Sequence, residues 1–347
     1  MNLEFRGQFR LSYPTDTDPL TLSDYQDEQL KLGIKRARLK VGGHSFIPWF
    51  KYYLEYELFS SNLLDFRLMY EKLPWLKIKV GQWKVQYNRE RIISSGKQQT
   101  MERSILTRAF TVDRQQGVSV FGHLEGEGLA NFNYWLSVLM GTGRGSTGND
   151  DNHLMYMSRL QWNFMGESLK FSGTDLEFHD QFVGLLALGA VTNRSPYTRF
   201  SQSGGGQLEG FDPGAAGQYR VNQAMQESAG KYRGFSWQQE FHFKQIRDLV
   251  NGTVTDMAGN LIQAGYFFHH LWNAIPDNVE FYGRQAFYLP DLSVSDQLQN
   301  EFSFGFNWFI QGHRIKLTGE ASHLRTDIAS SESMGGWRYR FQLDVSF

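Results

Sequence analysis

Apolar and polar side chains alternate along the last stretch of the chain, WRYRFQLDVSF, from Trp337 to Phe347. Successive side chains of a β-strand point to opposite faces, so this segment has one apolar face and one polar face. A strand of a soluble sandwich seldom carries so many large apolar groups on one face. The pattern is typical of a membrane barrel strand, which has lipid on one side and a wet lumen on the other.

The same alternation recurs from one end of the chain to the other. Fifteen segments show it, and a weaker one, residues 217–227, pairs with the next segment through the turn Ser228–Lys231. Bacterial single-chain barrels have even strand numbers, which favours counting the weaker segment as a strand. The sequence therefore predicts an all-β fold, a transmembrane antiparallel β-barrel of about 16 strands, at residues 3–13, 29–41, 46–58, 62–72, 76–80, 115–124, 129–140, 153–165, 181–192, 217–227, 234–246, 259–270, 278–288, 299–310, 314–325 and 335–347.

The connections between these segments alternate roughly between long and short, as in outer-membrane barrels. Residues 166–180 break the pattern, because they form a long connection on the side of the short turns. A change of apolar parity near Lys35-Arg36 predicts a β-bulge in the second strand. We expect a single barrel domain over residues 1–347, with long outer loops at 14–28, 86–114, 141–152, 193–216, 247–258, 289–298 and 326–334, and short turns at 42–45, 73–75, 125–128, 228–233, 271–277 and 311–313.

Composition narrows the class of protein. No run of about 18 apolar residues occurs, so no transmembrane helix is predicted, whereas barrel strands escape this test because lumen residues dilute the apolar ones. The chain has no cysteine, which excludes disulfides, thiol catalysis and cysteine metal sites. The net charge of −1 gives no reason to expect a nucleic-acid partner. We expect a mature chain whose export signal was removed or replaced by an initiator Met.

The segment after the fifth predicted strand reads GQWKVQYNRERIISS, from Gly81 to Ser95, and continues as TMERSILTRAFTVDRQQGVSVFG, from Thr100 to Gly122. Together with GIKRARLKVGG at 33–43, FGFNWFIQGHRIKLTGE at 304–320 and the terminal strand, it resembles the phosphate-selective porin O and P family. The resemblance implies an outer-membrane barrel whose third loop folds into the pore, assembled as a homotrimer. The family usually has proline where Gln86 stands, and this departure bears on how the third loop enters the pore.

The predicted third loop, residues 86–114, is rich in cations. Six Arg or Lys residues stand against Glu90, Glu102 and Asp113. A loop folded into a barrel narrows the lumen, and an excess of guanidinium groups favours anions because their paired donors match phosphate or carboxylate oxygens. The family resemblance extends this role to a pair of serines. The candidate anion-binding and pore-lining residues are Arg36, Arg38, Lys84, Arg89, Arg91, Ser94, Ser95, Lys97, Arg103, Arg108 and Arg114.

These charges also have a purely structural interpretation. Several loop cations can pair across the loop or anchor it to the wall. The inward-facing positions of the strands lean basic as well, and a row of such cations can pass anions by weak binding at many sites. For most of the strand cations we favour pairing with acids on neighbouring strands, which fills a barrel wall without conducting.

Three functions are compatible with the sequence. The first is a passive porin that prefers small anions such as phosphate, with outer-membrane lipid, lipopolysaccharide and two identical subunits as partners. The second is a structural or partner-binding barrel with little conductance, in which residues 166–180 could serve a periplasmic partner. The third, a barrel enzyme, ranks low because Ser, His and Asp are scattered and form no nucleophile motif. No cofactor and no metal site are expected.

Overall fold

The structure, a computed structural model, describes residues 1–18, 28–201, 205–328 and 332–347. These residues form one closed antiparallel barrel in which every strand is hydrogen-bonded to its neighbours in the sequence and the first strand pairs with the last. The sixteen strands are β1 (Asn2–Tyr13), β2 (Lys31–Ser45), β3 (Ile47–Glu57), β4 (Asn62–Tyr70), β5 (Lys77–Lys84), β6 (Arg114–Glu125), β7 (Asn131–Leu139), β8 (Met155–Met165), β9 (Val183–Ser195), β10 (Tyr219–Tyr232), β11 (Phe235–Asp248), β12 (Val254–Tyr266), β13 (Val279–Leu289), β14 (Gln299–His313), β15 (Ile315–Ile328) and β16 (Glu332–Ser346). The predicted fold class, a barrel of about 16 antiparallel strands, is confirmed.

The barrel closes through the segment that shows the alternation most clearly. In β16 the residues Trp337, Tyr339 and Phe341 are 43%, 49% and 55% exposed, whereas Arg338 and Arg340 are buried. The strand pairs with β1 from Arg6 opposite Ser346 to Tyr13 opposite Tyr339. The apolar face therefore points out of the barrel and the arginines point into it, as the alternation predicts.

The predicted bulge in the second strand is confirmed. Gln8 of β1 lies opposite Arg36, and the next residue, Phe9, lies opposite Ile34, so Lys35 has no partner in the ladder. The extra residue lets the outward face change from Ile34 to Ala37 within one continuous strand.

Several predicted connections are wrong in their bounds. The predicted turns 42–45 and 311–313 lie within β2 and β14, and β15 and β16 extend into the predicted long loop 326–334. The weak segment 217–227 is part of β10, as predicted, but the strand continues to Tyr232 through the predicted turn 228–233, and the chain reverses at Arg233-Gly234. Both of these residues have positive φ, 46° and 81°, which suits a tight hairpin turn. The predicted long loop 247–258 is a short turn, 249–253, because Asp248 accepts hydrogen bonds from the backbone N–H groups of Val250 (2.9 Å) and Asn251 (3.0 Å). Residues 19–27 and 329–331 of two predicted loops lie outside the described part of the chain.

Large apolar side chains cover the outer surface of the barrel. They are exposed at alternate positions of nearly every strand, and their polar neighbours in sequence are buried inside. Outward apolar groups around a closed barrel are the arrangement that lipid requires, because closure leaves no unpaired strand edge. Examples are Leu11, Ile34, Phe66, Val80, Leu136, Leu160, Leu188, Phe241, Ile262, Phe281, Phe302 and Trp308. Within the described ranges, no helix has the length and apolar character needed to cross a membrane.

Candidate functional site

The connection between β5 and β6, residues 85–113 (the inner loop), contains two short helices, α1 (Arg89–Ile92) and α2 (Leu106–Phe110). Its side chains and backbone bond to residues on the inner face of the strands. Asn88 of the inner loop donates to Glu240 of β11 at 2.9 Å, and Gln99 donates to Glu280 of β13 at 2.6 Å. The inner loop therefore lies against the inside of the wall formed by β10 to β15.

Four buried glutamates of this wall hold the backbone of the inner loop. They stand on β10, β11, β14 and β15, and each carboxylate accepts a loop N–H. Such N–H groups need an acceptor wherever water is excluded. The bonds run from Arg89 to Glu227 (3.1 Å), from Glu90 to Glu240 (2.6 Å), from Met101 to Glu320 (2.9 Å) and from Ile105 to Glu301 (2.9 Å). Because these carboxylates bond to the loop, they are not available to bind passing ions.

Cations on this wall and on the strands beside it are bonded within the protein as well. Arg159 binds Glu227 at 2.8 Å, and Arg284 and Arg340 pair with the anchoring glutamates of β14 and β15. The ammonium groups of two lysines, one on β11 and one on β15, donate to loop carbonyls, Lys244 to Ala109 (2.8 Å) and Lys316 to Gln98 (3.0 Å). On this side of the lumen the structural interpretation of the inward charges is the better one.

An apolar cluster inside the barrel also fixes the inner loop. Its buried members come both from the loop and from inward positions of the wall, so packed side chains join the loop to the inner face between β5 and β13. The loop contributes Val85, Tyr87, Leu106, Phe110 and Val112, and the wall contributes Trp83, Met155, Met157, Val191, Val221, Met225, Ile246, Met257 and Leu261.

A second segment, residues 166–182 (the lower segment), enters the barrel from the side of the short turns. The backbone N–H of Gly173 donates to the carbonyl of Lys97 in the inner loop at 2.9 Å. The ring of Phe171 lies 5.3 Å from the guanidinium of Arg89 and 6.2 Å from the ring of Trp135. Lys231 of β10 donates to the hydroxyl of Ser172 at 2.7 Å. The long connection that breaks the predicted pattern thus lies inside the lumen, beneath the inner loop and against β7 to β12.

The remaining side of the lumen, along β1 to β5, is lined by a cluster of charges with a positive excess. We define this cation cluster by its eight cations and five carboxylates, which leaves an excess of three positive charges. The carboxylates are largely neutralised: Glu102 binds Arg10 (2.7 Å) and Arg36 (2.8 Å), and Asp65 binds Arg114 (2.6 Å) and Arg67 (2.9 Å). Its cations are Arg10, Arg36, Arg38, Arg67, Lys84, Arg91, Arg103 and Arg114, and its carboxylates are Glu55, Glu57, Asp65, Glu102 and Asp113.

Two cations of this cluster bind only carbonyl oxygens among the described residues. Arg103 donates to the carbonyls of Ile93 (2.7 Å) and Glu90 (3.1 Å), and Lys84 donates to those of Ile92 (3.2 Å) and Ile93 (3.4 Å). Burial, together with the nearby charges of Arg91 and Arg36, lowers the pKa of Arg103 well below its usual value. A guanidinium nevertheless remains protonated in proteins. Glu102 and Glu90 attract this charge from a distance, but no carboxylate of the described residues forms an ion pair with it.

For two carboxylates of the inner loop, the neighbouring charges stabilise the ionised form. Burial alone would raise the pKa of Glu102, but the guanidinium groups of Arg36 and Arg10 hold it well below the usual value. The pKa of Asp113 is likewise lowered, against the effect of burial, by Arg91 and Arg114. Both groups are therefore ionised at neutral pH, and the excess of positive charge counted above already includes them.

A cavity of about 830 Å³ leads toward this cluster from the side of the short turns. It lies between the inner loop, the lower segment and the wall of β1 to β3. Its charged lining is mainly cationic, with Arg6, Lys40, Lys97 and Arg314 against Glu4. The cavity and the cation cluster lie on the same side of the barrel, and we call the two together the basic path.

The predicted site residues fall into two groups. Arg36, Arg38, Lys84, Arg91, Ser94, Lys97 and Arg103 lie along this path and are at least partly exposed. Arg89, Ser95 and Arg114 are buried, at 1%, 5% and 4% exposure. Arg114 thus belongs to the cation cluster through its ion pairs but presents little surface to the lumen. Arg108 is half-buried on α2 beside Arg199. Arg89 donates to the carbonyl of Lys170 at 2.5 Å and so holds the lower segment.

Further residues of the path are not among the predicted site residues. Arg6 donates to the hydroxyl of Ser94 at 3.2 Å, and Lys40 and Arg67 line the same side. Tyr53 is uncharged, and no sequence pattern singles it out. The guanidinium carbon of Arg67 lies 4.4 Å from the centre of its ring. Alternation gives the face of each residue, but their proximity to the inner loop depends on the path of that loop, which the sequence does not show.

Solved structures with the same fold are outer-membrane proteins, among them a porin and a channel. The anion-selective porin from Comamonas acidovorans is 11% identical, with a TM-score of 0.63, over 100% of this chain and 99% of that chain. The outer membrane channel DcaP of Acinetobacter baumannii is 10% identical, with a TM-score of 0.63, over 100% and 96%. The outer membrane protein OmpT of Vibrio cholerae, in its trimer form, is 10% identical, with a TM-score of 0.62, over 100% and 98%.

No family model and no curated protein sequence matches the chain. The predicted membership of the phosphate-selective porin O and P family therefore stays a prediction. The similarity to the solved channels extends over the whole chain and concerns the fold. Barrels of this fold occupy the bacterial outer membrane, and the predicted outer-membrane location is confirmed on that ground.

Proposed function

We propose that the chain is a passive porin of the bacterial outer membrane that prefers small anions and works as a homotrimer. The solutes would pass between the inner loop and the wall formed by β1 to β5. The observation that carries the proposal is the cation cluster, with its excess of three positive charges and with Lys84 and Arg103 bound only to carbonyls. The fold shared with an anion-selective porin and with a trimeric outer-membrane protein supports it.

The proposed mechanism is diffusion down a concentration gradient. An anion that enters the narrow part loses some of its hydration water and gains the cations of the cluster in exchange. Arginine suits this role because its planar group presents several donors that match carboxylate or phosphate oxygens. Since the cations are spread along a path rather than collected in one pocket, binding at each position is weak enough for release.

Selectivity in a planar lipid bilayer tests the proposal directly. With a KCl gradient across the membrane, the reversal potential of the purified protein should show a chloride permeability higher than that of potassium. A preference for potassium would refute the proposed anion selectivity. Phosphate is the solute that the family resemblance implies, and a block of chloride current by added phosphate at constant ionic strength would separate it from anions in general.

A structural barrel with little conductance is the second candidate. The observation in its favour is the lower segment, which fills part of the lumen and bonds directly to the inner loop through Gly173. Bilayer recordings that detect no channels, together with a partner that co-purifies in a fixed ratio, would support this second function. Clear single-channel steps from the protein alone would exclude it.

A further inference from the structure

Three arginines stand side by side on the outer surface of the barrel. Arg220 of β10 lies directly opposite Arg194 of β9 in one ladder and directly opposite Arg247 of β11 in the other. All three occupy outward positions, because their neighbours in sequence on both sides are buried inside. We call these three residues the arginine row. Each stands one residue from the end of its strand, on the side of the long connections, which are extracellular in outer-membrane barrels.

No carboxylate of the described residues forms an ion pair with the arginine row. Arg194 donates to the carbonyl of Gly217 at 2.8 Å, and its Nη1 atom lies 3.1 Å from the Nε2 atom of His153. Arg247 donates to a neutral side-chain amide of its own strand at 2.7 Å, and the side chain of Arg220 has no partner within the described part of the chain. Like charges directly opposite each other destabilise a sheet, so the row forms a positive patch that an anion would stabilise.

Another outward arginine of the barrel is neutralised. Arg325, near the same end of β15, donates to the carboxylate of Asp327 at 2.8 Å. Diagonal to the arginine row, the carboxylate of Asp256 on β12 accepts from the side-chain amide of Gln245 at 2.9 Å rather than from a cation. The uncompensated charge is therefore particular to β9, β10 and β11 and is not shared by every outward arginine.

The outer surface changes from charged to apolar within a few residues below the arginine row. The next outward positions hold Thr192, Asn222 and Gln245, and Thr192 donates to Asn222 at 2.8 Å. The positions after them are apolar and include Ala190 and Ala224. Successive outward positions of a strand are about 7 Å apart. The order of charged, polar and apolar rows is therefore the order in which a lipid presents its headgroup and its chains.

A groove in the outer surface begins at these polar residues. It has a volume of about 740 Å³ and crosses the outer faces of β6 to β10. Thr192 and Asn222, the next outward residues after Arg194 and Arg220, form part of its lining. The apolar part of the lining includes Val118, Leu136, Val138 and Ala190. The groove thus offers an acyl chain an apolar surface that starts where the polar rows end.

We infer that the arginine row and the groove below it bind a lipopolysaccharide molecule of the outer leaflet, with a phosphate group at the arginines and an acyl chain in the groove. Guanidinium groups present paired donors that match phosphate oxygens, and the charge of the phosphate offsets the repulsion within the row. A phosphorylated glycolipid combines the two chemistries that this surface offers, whereas free phosphate would use the row alone. The inference rests on the outer-membrane location and is independent of the proposed ion selectivity and of the proposed homotrimer.

Native mass spectrometry of the full chain in detergent, titrated with lipopolysaccharide, tests the site. Arg220→Gln removes the central charge of the row and should weaken binding at least about tenfold, because the charge-assisted hydrogen bonds to phosphate are lost. Arg325→Gln, an outward arginine at the same end of the barrel, is the matched control and should bind like the wild type. Equal binding by the wild type and Arg220→Gln, or an equal loss in Arg325→Gln, would overturn the location. A wild-type protein that binds no lipopolysaccharide would overturn the inference itself.

The same titration with altered ligands identifies what the row recognises. Lipopolysaccharide from which the phosphate groups have been removed should bind the wild type at least about tenfold more weakly than the intact molecule. Inorganic phosphate at the same concentration should not bind measurably, because it has no chain to place in the groove. Undiminished binding of the dephosphorylated molecule would exclude the phosphate contact. Inorganic phosphate that binds as tightly as lipopolysaccharide would exclude a lipid as the ligand.

A substitution that fills the groove gives a separate readout. Ala190→Trp places a large ring in the groove and leaves the three arginines intact, so lipopolysaccharide should bind more weakly while the barrel remains folded. Leu11→Trp, at an outward position of β1, is the control and should leave binding unchanged. Undiminished binding by Ala190→Trp would overturn the assignment of the acyl chain to the groove.

Discussion

Replacing Arg103 by glutamine should lower the preference for anions without closing the channel. Arg103 contributes one of the three excess positive charges of the cation cluster, and its guanidinium binds only carbonyl oxygens of the inner loop. No carboxylate of the described residues pairs with it, so the variant removes a charge that acts on the passing ion. Arg103→Lys is the matched control, because it keeps the charge and removes the planar fork of donors.

The expected size of the effect follows from Coulomb's law. A unit charge about 5 Å from a passing ion contributes about 0.8 kcal/mol in water. At 0.1 M salt the screening length of about 10 Å reduces this to about 0.5 kcal/mol. The charge attracts an anion and repels a cation by the same amount, so the ratio of chloride to potassium permeability should change by about 1 kcal/mol, which is about fivefold.

The assay is the reversal potential in a KCl gradient, measured for the wild type, Arg103→Gln and Arg103→Lys at the same mean salt concentration. The glutamine variant should show the fivefold lower ratio, and the lysine variant should stay close to the wild type. An unchanged ratio in Arg103→Gln, with normal single-channel conductance, would refute the assignment of the passage to the cation cluster. An equal loss in both variants would mean that the hydrogen bonds of Arg103, and not its charge, determine selectivity.

Three further predictions concern the loops. Gly96→Ala should displace the guanidinium of Arg6 from Ser94 and Asp344 and change the single-channel conductance, because the added Cβ would lie 1.8 Å from that group. Gly148→Ala, in open space on an outer loop, is the control. Phe171→Ala should raise the conductance by removing the ring that the lower segment places in the lumen, and an unchanged conductance would contradict that position. Burial and the adjacent carboxylate of Asp151 raise the pKa of Asp150 to about 6. The folded state therefore binds more protons than the unfolded state between about pH 4 and 6, and stability should fall as the pH rises through this window. Asp150→Asn should remove that fall in a thermal melt, and an identical pH dependence in both proteins would contradict the assignment.

Much of the fold could be predicted because a barrel strand has its signal in every second residue. The bulge at Lys35 and the weak strand β10 both follow from the parity of a few apolar side chains and from the rule of even strand number. The extents of the turns at 228–233 and 247–258 did not follow. In the first, β10 continues through Ser228, Ala229 and Gly230, which carry little hydrophobic contrast. In the second, outward positions such as Arg247 and Asp256 are polar, so the apolar alternation stops before the strands do.

The candidate site could be predicted only in its chemistry. The sequence shows an excess of cations in the inner loop, but it does not show which acids they meet, because those acids lie on strands distant in the chain. In the sequence, the four anchoring glutamates look like any other inward-facing charges. Their bonds to the loop backbone exist only in the folded barrel, and the residues are Glu227, Glu240, Glu301 and Glu320. The inward course of residues 166–182 is likewise a tertiary property, since nothing in that segment has a regular period.

The four glutamates that hold the inner loop have a consequence for how the protein responds to salt. Their bonds to loop N–H groups are buried, and screening by dissolved ions acts weakly on buried pairs. The attraction between a passing anion and the cation cluster acts through water and is screened strongly. A rise in ionic strength should therefore reduce ion discrimination while the width of the passage stays constant. In this barrel the groups that set the dimensions of the opening are separate from those that sense the charge of the solute.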